Sequence, residues 1–382
     1  MNVEAPLEGL KVLELARVLA GPWAGQTLAD LGADVIKIEA PQGDDTRRWG
    51  PPWIDHKGER AAAYYHACNR GKRSVIADFR TQEGKEIVHR LAAQSDVVIE
   101  NFKHGGLAKY GLDYAGLSRI NPQLVYCSIT GFGHTGPYAD RAGYDFIIQG
   151  MAGLMDLTGE AGGAPQKVGI AIADLLTGLY GVIGIQAALA QRQRTGKGQH
   201  IDMALMDCMT GVLSNQAMNY LVSGTSPHRI GSAHPNIVPY QAFPVKDGYL
   251  IIAVGNDRQY QRLLDVLDLD AGRNEKFTTN AGRVEHRGEL VPKIAEATRA
   301  WQQKDLLKAC EDNTIPAGPI QTLADVFADP QTIAREMAIL ADGIPGVRTP
   351  ITFTNGRLTL DRPAPALGEH QDDVLREISL SG

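Results

Sequence analysis

The chain has 382 residues, 43 % hydrophobic and 21 % charged, a balance that suits a soluble globular protein with room for two domains. Its formal net charge of -6 excludes nucleic acid as the main partner, because phosphate backbones need a basic face. The four cysteines, Cys68, Cys127, Cys208 and Cys310, form no C-x-x-C pair, which argues against a disulfide framework or zinc site and fits a reduced, cytoplasmic chain.

The opening MNVEAPLEGLKVLEL carries acids and no long apolar run, unlike a signal peptide. Leu10 to Leu15 alternates as a strand and runs into a helix starting near Pro22. Further strands are expected at Asp34–Glu39, Arg73–Phe79, Asp96–Glu100 and Leu124–Ile129, with an amphipathic helix over Gln82–Gln94. Strands alternating with helical patterns predict parallel pairing in a doubly wound α/β sheet. After Asp174 the chain reads as helix to about Arg194, and HIDMALMD begins another strand or helix. A second unit begins near Gly231. It holds a hairpin over Pro239–Val254 turning at Asp247-Gly248, then helices over Asp257–Leu267 and Arg287–Arg299. IPAGPI, Ile315 to Ile320, reads as a connector, and a short helix is expected around Asp372–Ile378. No charge-free run of about 18 apolar residues is present, so no membrane span is expected.

Gly131 to Gly136, GFGHTG, fits the dinucleotide-binding pattern, but Pro137 and a polar stretch follow where a helix should start on the phosphates. It reads instead as a glycine-rich loop. The segment KVGIAIADLLTGLYG, from Lys167, is apolar except for Asp174. A carboxylate there either caps the helix or is kept for chemistry, and as a cap the helix dipole would hold it ionised. Asn101 and Phe102 follow a strand's carboxyl end, where ligands bind in open α/β sheets. Arg70, Lys72 and Arg73 form a basic cluster that is either a solvated edge or a grip on a phosphate-rich ligand. His66, His104, His134 and His234 sit near turns with no metal spacing, and no G-x-S-x-G elbow occurs.

The stretches GLKVLELARVLAGP, LGADVIKIE, CNRGKRSVIADF, VIENFKHGGLAKYGL, SITGFGHTGPYADRAGYDFIIQGMAGLM, GIAIADLLTGLYG and GKGQHIDMALMD follow one another as in class III CoA-transferases, the CaiB/BaiF family. The chain resembles that family over nearly its whole length. GDDTRRWGPPW and AHPNIVPYQAF look most like the branch that moves CoA between dicarboxylates such as succinate and glutarate. The resemblance implies a large Rossmann-like domain with a parallel sheet and a smaller inserted α+β domain, in a ring-shaped subunit forming an interlocked homodimer. The division it implies is a first part over 1–195, a linker over 196–224, a small domain over 225–320 and a return over 321–382.

By the same resemblance Asp174 is the nucleophile, forming an aspartyl–acyl anhydride and then an aspartyl-CoA thioester. Acyl-CoA and a free carboxylic acid are the substrates; no permanent cofactor or metal is implied, and no membrane. CoA contacts fall on Val18, Ala20, Asn101, Phe102 and Lys109, with Arg73 from the basic cluster. Lys109 stands where the family often has arginine, Ala40 where some relatives have arginine, and no glycine run covers the active site. Arg47 is the expected partner of a second substrate carboxylate, with Tyr144 and His234 as further substrate residues. The alternatives are an α-methylacyl-CoA racemase, which would carry a histidine where Tyr144 stands, and a non-catalytic CoA-binding protein in which Asp174 is only a cap.

Overall fold

The computed structural model describes residues 4–379. Contacts divide the chain into two units: 1–154 with 168–213 and 330–382, and 155–167 with 214–329.

The first unit is built on six parallel strands: β1 (Lys11–Glu14), β2 (Asp34–Glu39), β3 (Arg73–Ile76), β4 (Val97–Glu100), β5 (Val125–Thr130) and β6 (Gln199–Ala204). Their order is β3-β2-β1-β4-β5-β6. Both faces of the sheet are covered, so the strands bury their apolar residues together with the polar Glu14, Lys37, Glu39, Ser74 and Glu100. On one face pack α1 (Ala20–Asp30), α4 (Ile172–Thr195) and α5 (Leu205–Gly211), together with α3 (Asp145–Met151); on the other packs α2 (Gln82–Gln94). By length and composition α4 could cross a membrane, contrary to the expectation from sequence, but Val182, Ile185 and Leu189 pack it into the core beside α1 and β5. Two hairpins were not legible: Trp53–His56 with Glu59–Ala62, and Ala338–Ala341 with Ile344–Val347.

The second unit has a three-stranded antiparallel sheet of β7 (Tyr240–Val245), β8 (Gly248–Ala253) and β9 (Ala317–Pro319). Helices α6 (Asp257–Leu267) and α7 (Arg287–Thr298) supply its core residues Leu263, Leu264, Leu290 and Ile294. The hairpin turns at Lys246-Asp247, one residue earlier than expected, because Gly248 already pairs with Val245. The supposed connector at Ile315 contains the edge strand β9. The supposed linker over 196–224 contains β6 and α5, both in the first unit, since β6 completes the parallel sheet beside β5.

Candidate active site

Strand order reverses between β1 and β4, and in such sheets the crevice at the reversal receives ligands. The two chain exits are tied together there. The Arg17 backbone N–H donates to Asn101 Oδ1 at 2.8 Å, and Asn101 Nδ2 donates to the Arg17 carbonyl at 2.5 Å. The next residue, Val18, has φ +70°, a conformation that costs a β-branched residue strain. A buried charge cluster holds it. The Val18 N–H donates to Asp44 Oδ2 at 3.2 Å, Asp44 pairs with Lys37 at 3.0 Å, and Lys37 pairs with Glu14 at 3.0 Å. Burial pushes the Asp44 carboxyl up, but Lys37 and the Thr46 N–H pull it down to about 2.

The opposite wall begins where Gly131 crosses Gly143. A Cβ on Gly131 would lie 2.6 Å from the Gly143 Cα, so two backbones touch where only glycines fit. The crossing delivers Tyr144 and Asp145 to the end of β5. Gln149, fully buried on α3, then makes three hydrogen bonds. Its Nε2 donates to Asp145 Oδ2 at 2.7 Å and to the Ile170 carbonyl at 3.3 Å, and its Oε1 accepts from the Val168 N–H at 2.9 Å. Asp145 Oδ1 accepts from the Ala173 N–H at 2.8 Å. The strand of chain leading into α4 is therefore fastened to α3, and Asp174 stands third in the helix.

Asp174 is thus not the N-cap. Ala171 holds that position without a side-chain cap, and Asp145 satisfies the N–H that a cap would take. Among the described residues nothing hydrogen-bonds or pairs with the Asp174 carboxylate. Burial, followed by the charge of Asp145, raises its pKa to about 7. The dipole at a helix start favours the charged form by about 0.3–1 kcal/mol, and here burial outweighs it. A carboxylate so placed has free lone pairs, half-buried surroundings and a pKa near neutrality, the properties of a nucleophile that alternates between ionised and acylated states.

Asp174 lines a cavity of about 220 Å³ together with Val18, Ala20, Asn101, Phe102 and Tyr144, which gathers six of the residues singled out from sequence. Arg17, Lys103, His104 and Arg141 also line it, and Asp174 is its sole acid among the described lining. Beyond Phe102 lies a second cavity of about 410 Å³ of mixed charge, lined by the cations Lys109, Arg17 and Lys103, by Arg80 paired to Asp78 at 2.8 Å, and by the acids Glu39, Asp44 and Asp45. The remaining expected residues lie elsewhere. Arg47 is buried, donating to Glu39 Oε2 at 2.8 Å, Glu59 Oε1 at 2.9 Å and the Tyr65 hydroxyl at 2.6 Å, so its fork is spent inside the fold. Arg73 is likewise committed, to Asp34 at 2.9 Å and Glu377 at 2.8 Å. Arg70 pairs with Asp30 and Lys72 with Glu14, so the basic cluster is neither a solvated edge nor a phosphate grip. His234 belongs to the second unit, where its Nδ1 accepts from the Asn236 N–H at 3.0 Å.

Sequence reasoning missed Arg17, Arg141, Asp145, Gln149 and Tyr64. Burial, then the charges of Cys68 and Asp174, push the Tyr64 phenol up to about 12, which puts it within electrostatic reach of Asp174. For Asp145 and Gln149 the available signal was a pair of polar residues four apart at a helix start, DFIIQ.

Three comparisons bear on this site. The model of the family described as CoA-transferase family III matches residues 7–371. A succinate–glutarate CoA-transferase from Agrobacterium fabrum is 57 % identical, over 99 % of this chain and 96 % of its own. A human succinyl-CoA:glutarate CoA-transferase is 40 % identical, over 99 % of this chain and 87 % of its own. The crystal structure of a CaiB/BaiF family protein from Brucella suis superposes with a TM-score of 0.89 at 64 % identity, covering 98 % of this chain and 100 % of that one.

Proposed function

The chain belongs to CoA-transferase family III and is a CoA-transferase, and from that premise we propose that it moves CoA from succinyl-CoA to a second dicarboxylate such as glutarate, with Asp174 as nucleophile. The observation that carries the mechanism is a carboxylate that accepts no hydrogen bond among the described residues, lining a cavity at the strand-order reversal.

The ionised Asp174 oxygen attacks the thioester carbonyl. The carbon–sulfur bond breaks, and CoA leaves as thiolate from an aspartyl–succinyl anhydride. The thiolate attacks the aspartyl carbonyl, releasing succinate and leaving an aspartyl-CoA thioester. The incoming carboxylate displaces the thiolate and forms a new anhydride. The thiolate then takes the new acyl group, and Asp174 is regenerated. No proton is gained or lost over the cycle. Each intermediate is an activated acyl, so the thioester's free energy is retained provided water is kept out. In this reading CoA runs from the Lys109 cavity past Phe102, where Arg17, Lys103 and Lys109 supply charge for its phosphates. Val18, Ala20, Asn101 and Phe102 line the thioester end, and Tyr144 the acyl side. The exposed apolar residues Leu179, Tyr180 and Ile183 on α4 support a working homodimer.

The test is intact-protein mass spectrometry after incubation with succinyl-CoA. A hydroxylamine-sensitive adduct is expected at Asp174, and Asp174→Ala should lose both adduct and turnover while keeping its melting temperature. Transfer to glutarate without an adduct, or turnover by Asp174→Ala, would overturn the reading. Because the attacking form is the anion and its pKa is near 7, adduct formation should rise with pH, be half-maximal near 7 and level off above about 8.

A further inference from the structure

A dicarboxylate that reacts at one end must place a second, unreacting carboxylate in the same half-closed cavity. Stripping water from that charge is costly unless a cation meets it. Arg47, the residue the sequence suggested, is spent on Glu39 and Glu59. A third cavity, lined by Tyr114, His134 and His200, lies beside these two; Arg17 borders the Asp174 and Lys109 cavities, Lys103 all three, and His104 the Asp174 cavity and the third. Lys103 and His104 stand on the loop after β4 and Arg17 on the turn after β1, and His104 Nδ1 already lies 3.4 Å from Asp140 Oδ1. Arg141 alone among the cations borders the Asp174 cavity and neither neighbour.

The geometry points to Arg141 as the group that binds the distal carboxylate of the acyl substrate and sets the preference for dicarboxylates. Its guanidinium has no ion pair or hydrogen bond among the described residues. It is nonetheless held in place, with its Cζ 4.5 Å from the ring centre of Tyr138 and 5.4 Å from that of Phe132. The Arg141 N–H donates to the Tyr138 carbonyl at 2.9 Å, which fixes the turn that presents it. A planar fork, stacked on rings and free at its edge, is suited to a carboxylate's two oxygens. The same contact serves donor and acceptor, since succinyl-CoA also carries a free carboxylate.

This inference rests on transfer to a dicarboxylate, so wild-type transfer from succinyl-CoA to glutarate is scored first; its absence would sink that reading by itself. Arg141→Met should raise KM for glutarate by about 10–100-fold, the range for losing a charge-assisted hydrogen-bonded pair. It should lower the preference for glutarate over pentanoate by a similar factor. Arg141→Lys, which keeps the charge and loses the fork, should fall between. Arg17→Met should instead raise KM for the CoA thioester and leave glutarate unaffected. A glutarate KM within about twofold of wild type in Arg141→Met, or a glutarate defect that appears in Arg17→Met alone, overturns the assignment.

Discussion

Asp174 shows how one residue's role depends on neighbours that the chain brings in from elsewhere. In isolation an aspartate before Leu-Leu reads as a helix cap. In place, Asp145 takes the N–H that a cap would satisfy, and among the described residues no hydrogen bond or ion pair takes the Asp174 carboxylate. The orientation of the Gln149 amide is dictated at both ends, since the Val168 N–H requires its oxygen and the Ile170 carbonyl requires its NH2. That leaves an N–H aimed at Asp145, which must accept it. Gln149 is a positioning residue in this arrangement. Gln149→Met is nearly isosteric but makes none of the three bonds. Its kcat should fall by about 10–100-fold, as expected when a nucleophile is displaced by about 1 Å, while KM for acyl-CoA changes by less than about twofold. Steady-state kinetics with circular dichroism on the same sample would check this. A parallel loss of kcat and helix content would make Gln149 merely structural.

At the scale of elements, the site depends on α1 and α4 lying against each other. A Cβ on Gly178 would come within 2.6 Å of the Ala20 carbonyl and 3.2 Å of the Trp23 ring. Gly178 lies one turn beyond Asp174, and Ala20 begins α1, so the approach sets the distance between two walls of the cavity. Gly178→Ala should separate the helices at a cost of about 1–3 kcal/mol. It should also lower kcat/KM for the thioester donor; thermal melting and initial rates measure the two effects. The strands and long helices around this contact were legible because their apolar spacing is regular. The hairpin over 53–62 and the strand at Ala317 were not. Trp53-Ile-Asp-His and Ala-Gly-Pro are too short and too mixed to show a period, and they become strands only through their pairing partners.

At the scale of the molecule, the division into units follows contacts that sequence order conceals. Residues 155–167 belong with 214–329, although they lie between two segments of the first unit. The only local mark of that excursion is the glycine- and proline-rich stretch Gly159 to Pro165, which reads as a loop and not as a passage to another unit. The apolar face of α4, with Ile183 62 % exposed, leads us to expect self-association. Sedimentation equilibrium should give twice the 41.2 kDa chain mass, and Ile183→Glu should shift the protein towards monomer. A wild-type monomer with full activity would remove the dimer from the mechanism.

The order of motifs along the chain determined the family, the parallel α/β sheet and the candidacy of Asp174, because each is written in local patterns: apolar strands, glycine turns and one acid in an apolar run. Tertiary structure alone decided which charges are available to a ligand. Arg47, Arg70, Lys72 and Arg73 look as available in sequence as Arg17 and Arg141, yet the first four are consumed by Glu39, Asp30, Glu14 and Asp34. These partners lie from 8 to 58 residues away along the chain, beyond the reach of a local pattern, and only folding brings the two together.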